Sequence, residues 1–269
     1  MAVSSTFLAT DGSGYELQMG RWSRRLAPRF IEFAGAAGAG SVLDVGCGTG
    51  SLIATLAQDA GHRSLHGIDA SQAYVDYARH AVPDPRVRID VGDACALALP
   101  DGTFDCALAM LVLQFIPDTG RALGEMHRVT RPGGVVAAAV WDVRGGVTFM
   151  RLFWDTAAMI DDEAVRRRGR TYSRPASHVG ALRQAFRAAG LEDIVEDEIT
   201  IRTDFASFDD YWAPIDGADG PIAEYARSLA PDVRAAVKEK VRLAYLDGEA
   251  DGPRSYCATA LVARGTVAR

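Results

Sequence analysis

Short apolar runs alternate with helical patterns between about residues 41 and 141 of this chain. Five of the runs predict strands, at 41–45, 64–69, 86–91, 103–110 and 135–141. Between the first two, apolar side chains recur every three or four positions, as they do along one face of a helix. This alternation predicts a parallel sheet covered by helices on both faces. Such sheets bind ligands outside the carboxyl ends of their strands, so the residues that follow each strand are the first candidates for a site.

The pattern is looser after residue 141. It predicts helices over 147–169 and 176–190, strands over 191–203 and 255–263, and a mixed helical stretch over 207–251. We expect a single domain, 1–269, with a cofactor-binding core at 15–141. The segments 145–175 and 205–253 are predicted to be insertions that form a lid over the substrate.

A predicted strand runs directly into three glycines at alternate positions in Val42–Gly50, VLDVGCGTG, and a helical pattern follows. Glycines let the backbone approach a ligand closely and adopt positive φ angles. The helix start that follows offers free N–H groups to a carboxylate. The fingerprint of nicotinamide dinucleotides would place its third glycine where this chain has Ser51. The motif therefore favours a ligand without phosphates, and an NAD(P)-dependent oxidoreductase is the alternative.

Acidic residues end or follow the next two predicted strands. Asp69 ends the run at 64–69, and its carboxylate can accept hydrogen bonds from both hydroxyls of a ribose. Asp93 follows the run at 86–91 and can accept from an adenine amino group, with the backbone of Ala94 beside it. A single loop carboxylate is usually only solvated. Two acids after successive strands favour a nucleoside site.

These segments together resemble the class I S-adenosylmethionine-dependent methyltransferases, in particular the branch of the ubiquinone and menaquinone biosynthesis methyltransferases. The matching segments are YELQMGRWSRRLAPRF (15–30), VLDVGCGTG (42–50), GIDAS (67–71), GDACALALPDGTFDCALAMLVLQFIPD (92–118) and RVTRPGGVVAAAV (128–140). The resemblance implies S-adenosylmethionine as the cofactor. It also implies a Rossmann-like α/β fold: a seven-stranded, mostly parallel sheet with an antiparallel last strand, helices on both faces and helical lid insertions.

The resemblance further implies which residues bind the cofactor. They are Tyr15, Arg21, Trp22, Asp44, Gly46, Cys47, Gly48, Asp69, Ala70, Asp93, Ala94, Ala109 and Met110. The residues at 44–48 would surround the methionine part, and those near 69 and 93 would hold the ribose and adenine. Met110 stands where relatives often carry a polar residue. The guanidinium of Arg21 would pair with the carboxylate of the cofactor.

Methyl transfer from a sulfonium depends mainly on positioning, because the positive charge already activates the leaving group. A base is needed only when the acceptor must lose a proton, as a phenol or a carbon acid must. The sequence assigns no catalytic residue. The candidates are Gln114, which can orient an acceptor by hydrogen bonding, and His178, at the start of a predicted helix.

Apolar and aromatic side chains beyond residue 140 are the candidates for the substrate walls, because such walls suit a small organic acceptor. They are Trp141, Met150, Phe153, Trp154, Tyr211 and Trp212. The stripe from Met150 to Ile160 would look the same on a helix that only faces the core. The run Arg166–Arg168 predicts a solvated helix end, and docking of an anionic acceptor there is the alternative.

Composition narrows the classes of partner. A net charge of −6 over 269 residues indicates no basic face for nucleic acid. The four cysteines lack metal-ligand spacing, so we predict no metal and expect reduced thiols. No signal peptide and no apolar run near the ~20 residues of a membrane span are visible. We therefore expect a cytoplasmic protein that acts on a small-molecule methyl acceptor, with a non-catalytic cofactor-binding module as a further alternative.

Overall fold

Seven strands form one sheet in the computed structural model, which describes residues 16–217 and 220–269. They are β1 (Ser41–Val45), β2 (Ser64–Asp69), β3 (Val87–Val91), β4 (Phe104–Met110), β5 (Thr130–Trp141), β6 (Glu192–Phe205) and β7 (Arg254–Thr266). The order across the sheet is β3-β2-β1-β4-β5-β7-β6. Strands β1 to β5 pair in parallel, and β7 runs antiparallel to both β5 and β6. The predicted Rossmann-like sheet with an antiparallel last strand is confirmed.

The described helices cover both faces of this sheet. They are α1 (Arg21–Ala34), α2 (Ser51–Ala57), α3 (Gln72–Ala81), α4 (Thr119–Val129), α5 (Thr148–Ala157), α6 (Asp162–Tyr172), α7 (Ala181–Ala188), α8 (Phe208–Gly217), α9 (Pro221–Ser228) and α10 (Pro231–Leu246). Short helical turns lie at Glu16–Gly20, Leu113–Phe115 and Pro175–Ser177.

Two predicted helices have different bounds in the structure. The helix predicted over 147–169 is two helices, α5 and α6, because the backbone of Asp161 is extended (φ −133°, ψ 126°) and a new helix starts after it. Acids at 162 and 163 occupy the first turn of α6, where they interact favourably with the helix dipole. The helix predicted from 176 begins at Ala181, because Gly180 has a φ of +83°. A left-handed residue cannot continue an α-helix.

Neighbouring residues of the central strands belong to two separate hydrophobic clusters. Val42 packs with α1 and α2 on one face of the sheet, and Leu43 packs with α4 and α7 on the other. Alternate side chains of a strand point to opposite faces, so an uninterrupted apolar strand fills both cores. This two-sided burial fixes the sheet and hence the edge where its strands end.

Aromatic side chains join the two predicted lid insertions to the sheet. This aromatic cluster contains Trp22, Phe149, Phe153, Trp154, Phe205, Phe208, Tyr211, Trp212, Tyr225 and Tyr245. The hydroxyl of Tyr211 donates to the backbone oxygen of Phe149 over 2.8 Å, and that of Tyr225 donates to Asp161 over 2.8 Å. These contacts hold α5, α8 and α9 together beside the carboxyl ends of the strands.

Within the described part of the chain, no helix combines the length and the apolar character that crossing a membrane requires.

Candidate active site

A cavity lies at the carboxyl ends of β1 to β5 and opens to solvent, and its volume is about 1250 Å³ when the open solvent at its mouth is included. The lining comes from the turns after each strand and from the helices beside them. The residues that line the cavity include Gly46, Gly48, Asp69, Ala70, Asp93, Ala94, Met110, Gln114, Phe115, Trp141, Val143, Met150, Arg174 and Pro221.

The glycine turn after β1 forms one wall of the cavity. Gly46 and Gly48 have φ angles of +70° and +54°, which favour glycine. A Cβ atom on Gly46 would lie 2.3 Å from the Val112 side chain, whereas one on Gly48 would meet nothing within 4 Å. The N–H groups of Gly46 and Cys47 donate to the backbone oxygen of Ile68 over 2.7 and 3.0 Å. The turn is therefore fixed to the end of β2 and leaves bare backbone at Gly48.

Asp69 joins this turn to the next strand. Its Oδ2 accepts from the N–H of Gly48 over 2.8 Å, and its Oδ1 accepts from the N–H of Ser71 over 2.8 Å. Burial raises the pKa of Asp69, and the bonds from Ser71 and Gly48 oppose that rise. A carboxylate has about four lone-pair sites, so the Asp69 carboxylate keeps capacity to accept a hydrogen bond from a ligand.

Asp44 lies behind the same turn and is buried, with 1% of its surface exposed. Its Oδ2 has no hydrogen-bond partner among the described residues. Burial first, and then the nearby Asp69 carboxylate, raise the pKa of Asp44 to about 8. Both effects disfavour the ionised form. A positive charge bound beside the glycine turn would offset them.

Asp93 and Ala94 form the wall after β3. The Oδ1 of Asp93 accepts from the N–H of Cys95 over 2.9 Å, which fixes the carboxylate at the start of its loop. Both residues line the cavity together with Ala70 from the end of β2. The structure therefore brings together the two acids that the sequence singled out after successive strands.

Gln114 and apolar side chains line the half of the cavity over β4 and β5. The Oε1 of Gln114 accepts from the N–H of Trp141 over 3.0 Å. This bond uses the carbonyl end of the amide and leaves its NH₂ group as a donor. Trp141, Met150 and Pro221 supply apolar wall here. Leu111, where β4 ends, has a φ of +65° and donates its N–H to the backbone oxygen of Ala139 over 2.8 Å.

Several residues singled out from the sequence lie away from the cavity wall. Phe153, Trp154, Tyr211 and Trp212 were predicted as substrate walls, but they are buried in the aromatic cluster. Their large apolar surfaces gain most from burial against one another. The structure gives them a packing role, and it leaves Trp141 and Met150 as candidate walls.

The predicted N-terminal contacts also differ. Arg21 pairs with Asp210 over 3.0 Å and stacks on the rings of Trp22 and Phe205, so its charge already has a partner. Trp22 itself is buried in the aromatic cluster. No local sequence pattern indicates Asp210, which is 189 residues from Arg21 along the chain. Tyr15 lies outside the described residues.

Three further candidates do not line the cavity. The Cys47 side chain packs against Gly67, where a Cβ atom would be 3.0 Å from its Sγ. Ala109 is fully buried in the core within β4. His178 follows the turn at Pro175–Ser177 but contributes no wall.

Sequence reasoning missed other wall residues, chiefly Met19, Phe115, Arg174 and Pro221. Met19 lies in the segment 15–30, before the first strand, and Phe115 lies shortly after the end of β4. Position along the chain was the only sequence evidence that these two residues could line the site. Arg174 and Pro221 belong to segments without a motif. Arg174 and Pro221 reach the cavity only because the helices of the two predicted lid insertions pack beside it.

Comparison with known proteins adds a family to this geometry. The family model described as "Methyltransferase domain" matches residues 43–138, which run from β1 into β5. Residues 43–138 of this chain thus form a methyltransferase domain. The matched segment contains the glycine turn, Asp69, Asp93 and Gln114, and therefore most of the described cavity wall that is contributed by the sheet.

Curated relatives of this chain match it over parts of similar extent. The 2-methyl-6-phytyl-1,4-hydroquinone methyltransferase of Synechocystis is 36% identical over 120 residues, which are 44% of this chain and 37% of that protein. The malonyl-[acyl-carrier protein] O-methyltransferase of Pectobacterium atrosepticum is 42% identical over 100 residues, 36% of this chain and 37% of that protein. The chain thus matches little more than a third of the length of either relative.

Solved structures extend the likeness in fold to nearly the whole chain. Phosphoethanolamine N-methyltransferase 2 of Haemonchus contortus, in complex with phosphomonomethylethanolamine and S-adenosylhomocysteine, superposes with a TM-score of 0.59. The superposition covers 96% of this chain and 57% of that one at 16% identity. At this identity the likeness establishes the fold.

Proposed function

We propose that this chain transfers a methyl group from S-adenosylmethionine to a small organic acceptor by in-line displacement. The observation that carries the proposal is the division of one cavity. The half over β1 to β3 presents acids and bare glycine backbone, and the half over β4 and β5 is mostly apolar. The methyltransferase domain and the shared fold support the same cofactor.

The residues of the first half fit such a cofactor. Asp69 has free acceptor capacity for ribose hydroxyls, and Asp93 with Ala94 lies where an adenine edge would bind. The N-terminal end of α2 and the Gly46–Gly48 backbone suit an amino-acid carboxylate. The unpaired Oδ2 of Asp44 behind the turn favours a ligand that brings positive charge. S-adenosylmethionine carries positive charge on its sulfonium and its ammonium group.

When bound, the cofactor supplies a methyl group on a positively charged sulfur, and this charge activates the leaving group. The contribution of the chain is then to hold the acceptor in line and to exclude water. Trp141, Met150 and Pro221 provide the apolar enclosure, and the Gln114 NH₂ group can orient the acceptor by a hydrogen bond. Within the described residues, no histidine lines the cavity. We therefore propose catalysis by positioning.

Calorimetric titration tests the cofactor assignment. We expect binding of S-adenosylmethionine and S-adenosylhomocysteine at a one-to-one ratio and none of NADH. Tight binding of NADH without either sulfur ligand would contradict the proposal. Incubation with methyl-labelled cofactor and a panel of phenols, quinols, amines and carboxylic acids tests the transfer. Binding of cofactor without transfer to any member of a broad panel would favour a non-catalytic module.

We also propose that the acceptor is a small molecule, that the chain has no nucleic-acid partner and that it acts in the cytoplasm. The names of the two relatives give a hydroquinone and a malonyl group as acceptors, so the relatives share no common acceptor. The four cysteines form no disulfide, and three of them are buried. This accords with a reducing compartment.

A further inference from the structure

Arg174 lines the cavity from the lid side, between α6 and the turn at Pro175–Ser177. Its guanidinium carbon lies 4.7 Å from the centroid of the Phe115 ring, which lines the same cavity. Phe115 follows β4, on the opposite side of β1 from the acids of β2 and β3. A guanidinium stacked on a ring keeps the N–H groups along its edge available to a planar anion.

The arginines of α6 all have carboxylate partners, and Arg174 has none. Those partners are Glu163, which meets Arg166, Arg167 and Arg170, and Asp155, which meets Arg168. The sequence alternative of an anionic acceptor at Arg166–Arg168 is therefore unsupported, because acids of the chain already neutralise that run. Within residues 16–217 and 220–269, the Arg174 guanidinium has neither an ion pair nor a hydrogen bond.

Stacking on Phe115 offsets the burial of this cation only in part, because no acid pairs with it within the described residues. Loss of solvent lowers the pKa of Arg174 below its usual value, and no nearby acid opposes the shift. A charge that leaves water without a partner is unfavourable. The position of Arg174 is understandable where a ligand supplies the missing negative charge.

Gln114 offers a second donor on the wall of the same cavity. It precedes Phe115 in the chain and lines the cavity, and its carbonyl oxygen is held by the N–H of Trp141. Its NH₂ group and the Arg174 guanidinium are thus both donors at the β4–β5 half. Side chains without charge, including Met110, Val143 and Met150, form wall around them.

We propose that Arg174 and Gln114 bind a carboxylate of the methyl acceptor, so that the acceptor is a small organic acid. A carboxylate is planar and can take two parallel hydrogen bonds from one guanidinium, with a third from an amide. This inference rests on the proposed function, since it assigns the acceptor to the half of the cavity that the cofactor leaves free. The carboxylate is an anchor, and the atom that receives the methyl group is a separate question.

Binding of matched probes tests the assignment. The protein is saturated with S-adenosylhomocysteine and titrated with 4-hydroxybenzoate, 4-hydroxybenzamide and phenyl phosphate, then with cinnamate and cinnamamide. We expect each acid to bind at least ten-fold more tightly than its amide. Arg174→Met should remove this preference, and Arg174→Lys should restore part of it. Arg170→Met is the matched control on the same segment and should keep the preference.

The outcomes separate the two proposals. Equal binding of acid and amide, no binding of either pair, or an acid preference that survives in Arg174→Met would overturn the carboxylate site. Tighter binding of phenyl phosphate than of the acids would replace a carboxylate with a phosphate. Unchanged affinity of Arg174→Met for S-adenosylhomocysteine shows that the variant is folded. Failure of the wild-type protein to bind S-adenosylhomocysteine would instead contradict the proposed function, and the acceptor site with it.

Discussion

Asp44 and Asp69 lie close enough behind the glycine turn for one carboxylate to raise the pKa of the other. Their roles differ because their surroundings differ. Asp69 lines the cavity and holds its backbone partners, whereas Asp44 is buried with one oxygen unpaired. Asp69 is therefore placed to contact a ligand. Asp44 favours a positively charged ligand group beside the glycine turn.

Replacement of Asp69 by Asn tests the ribose contact. Loss of the charged acceptor should weaken S-adenosylhomocysteine binding by about 1–3 kcal/mol, the usual effect of losing a hydrogen bond to a charged group. Calorimetric titration of the variant measures this change. Asp76→Asn, on the exposed side of α3, is the control and should bind as the wild type does. Equal affinities of wild type and Asp69→Asn would refute this role.

Asp44 predicts a pH dependence of stability in the absence of ligand. Its pKa is about 8 in the folded protein, against an ordinary value of 3.8 for an aspartate in water. The folded state therefore keeps a proton that the unfolded state loses. Its stabilising contribution is full below about pH 4 and is lost as the pH rises towards 8.

Asp44→Asn removes this titration. Relative to wild type, the variant should gain up to about 1.4 kcal/mol of unfolding free energy per pH unit between pH 4 and 8. Urea unfolding of both proteins at several pH values measures the difference. Parallel pH profiles of the two proteins would show that Asp44 is not a buried, protonated group.

At the scale of elements, the turn between β1 and α2 depends on Gly46. Gly46→Ala would place a methyl group against Val112 at a φ of +70°, so the turn must shift. We expect a loss of about 1–3 kcal/mol of unfolding free energy from backbone strain, and weaker cofactor binding. Thermal unfolding and titration with S-adenosylhomocysteine measure the two effects.

Gly124→Ala is the matched control for this substitution. Gly124 lies inside α4, and a Cβ atom there meets nothing within 4 Å. Alanine in the interior of a helix should stabilise it by roughly 0.5–1 kcal/mol. If both variants kept wild-type stability and affinity, the turn would not have the tight geometry described.

The strands were predictable because their signal is local. A run such as Ser41–Val45 is apolar throughout, and an acid or a glycine marks the end of β1 and of β2. The break between α5 and α6 was missed, because helical spacing continues across Asp161 and only its extended backbone ends the pattern. The strand-end residues of the site were predictable for the same local reason.

The lid side of the site was not predictable, because distant parts of the chain decide it. Arg21 pairs with Asp210, and no local pattern announces that contact. The arginines of α6 have carboxylate partners, whereas Arg174 has none among the described residues. The sequence alone does not reveal this difference. The spacing of the aromatic side chains is equally compatible with a helix face in the core and with a substrate wall. The burial of Trp154 places it in the core.

At the scale of the whole molecule, the aromatic cluster makes α5, α8 and α9 part of the folded core. Trp154 is fully buried among Phe153 and Tyr225. Trp154→Leu should lower the unfolding free energy by about 2–4 kcal/mol through lost burial and a cavity. The folded fraction should keep the wild-type affinity for S-adenosylhomocysteine within two-fold.

Met150→Ala is the comparison, because Met150 is on α5 as well but lines the cavity. It should cost less stability than Trp154→Leu and should weaken binding of the acceptor probes. Urea unfolding and probe titration separate these effects. Weaker probe binding in Trp154→Leu than in Met150→Ala would return Trp154 to the substrate wall.

A crystal structure with S-adenosylhomocysteine bound tests the central claim most directly. We predict that the ribose hydroxyls of S-adenosylhomocysteine lie at the Asp69 carboxylate and its adenine edge lies beside Asp93 and Ala94. Its amino-acid end should lie along Gly46–Gly48. The sulfur should then face the half of the cavity lined by Gln114 and Trp141. Ligand density in another hollow, or an adenosyl group that contacts neither Asp69 nor Asp93, would contradict it.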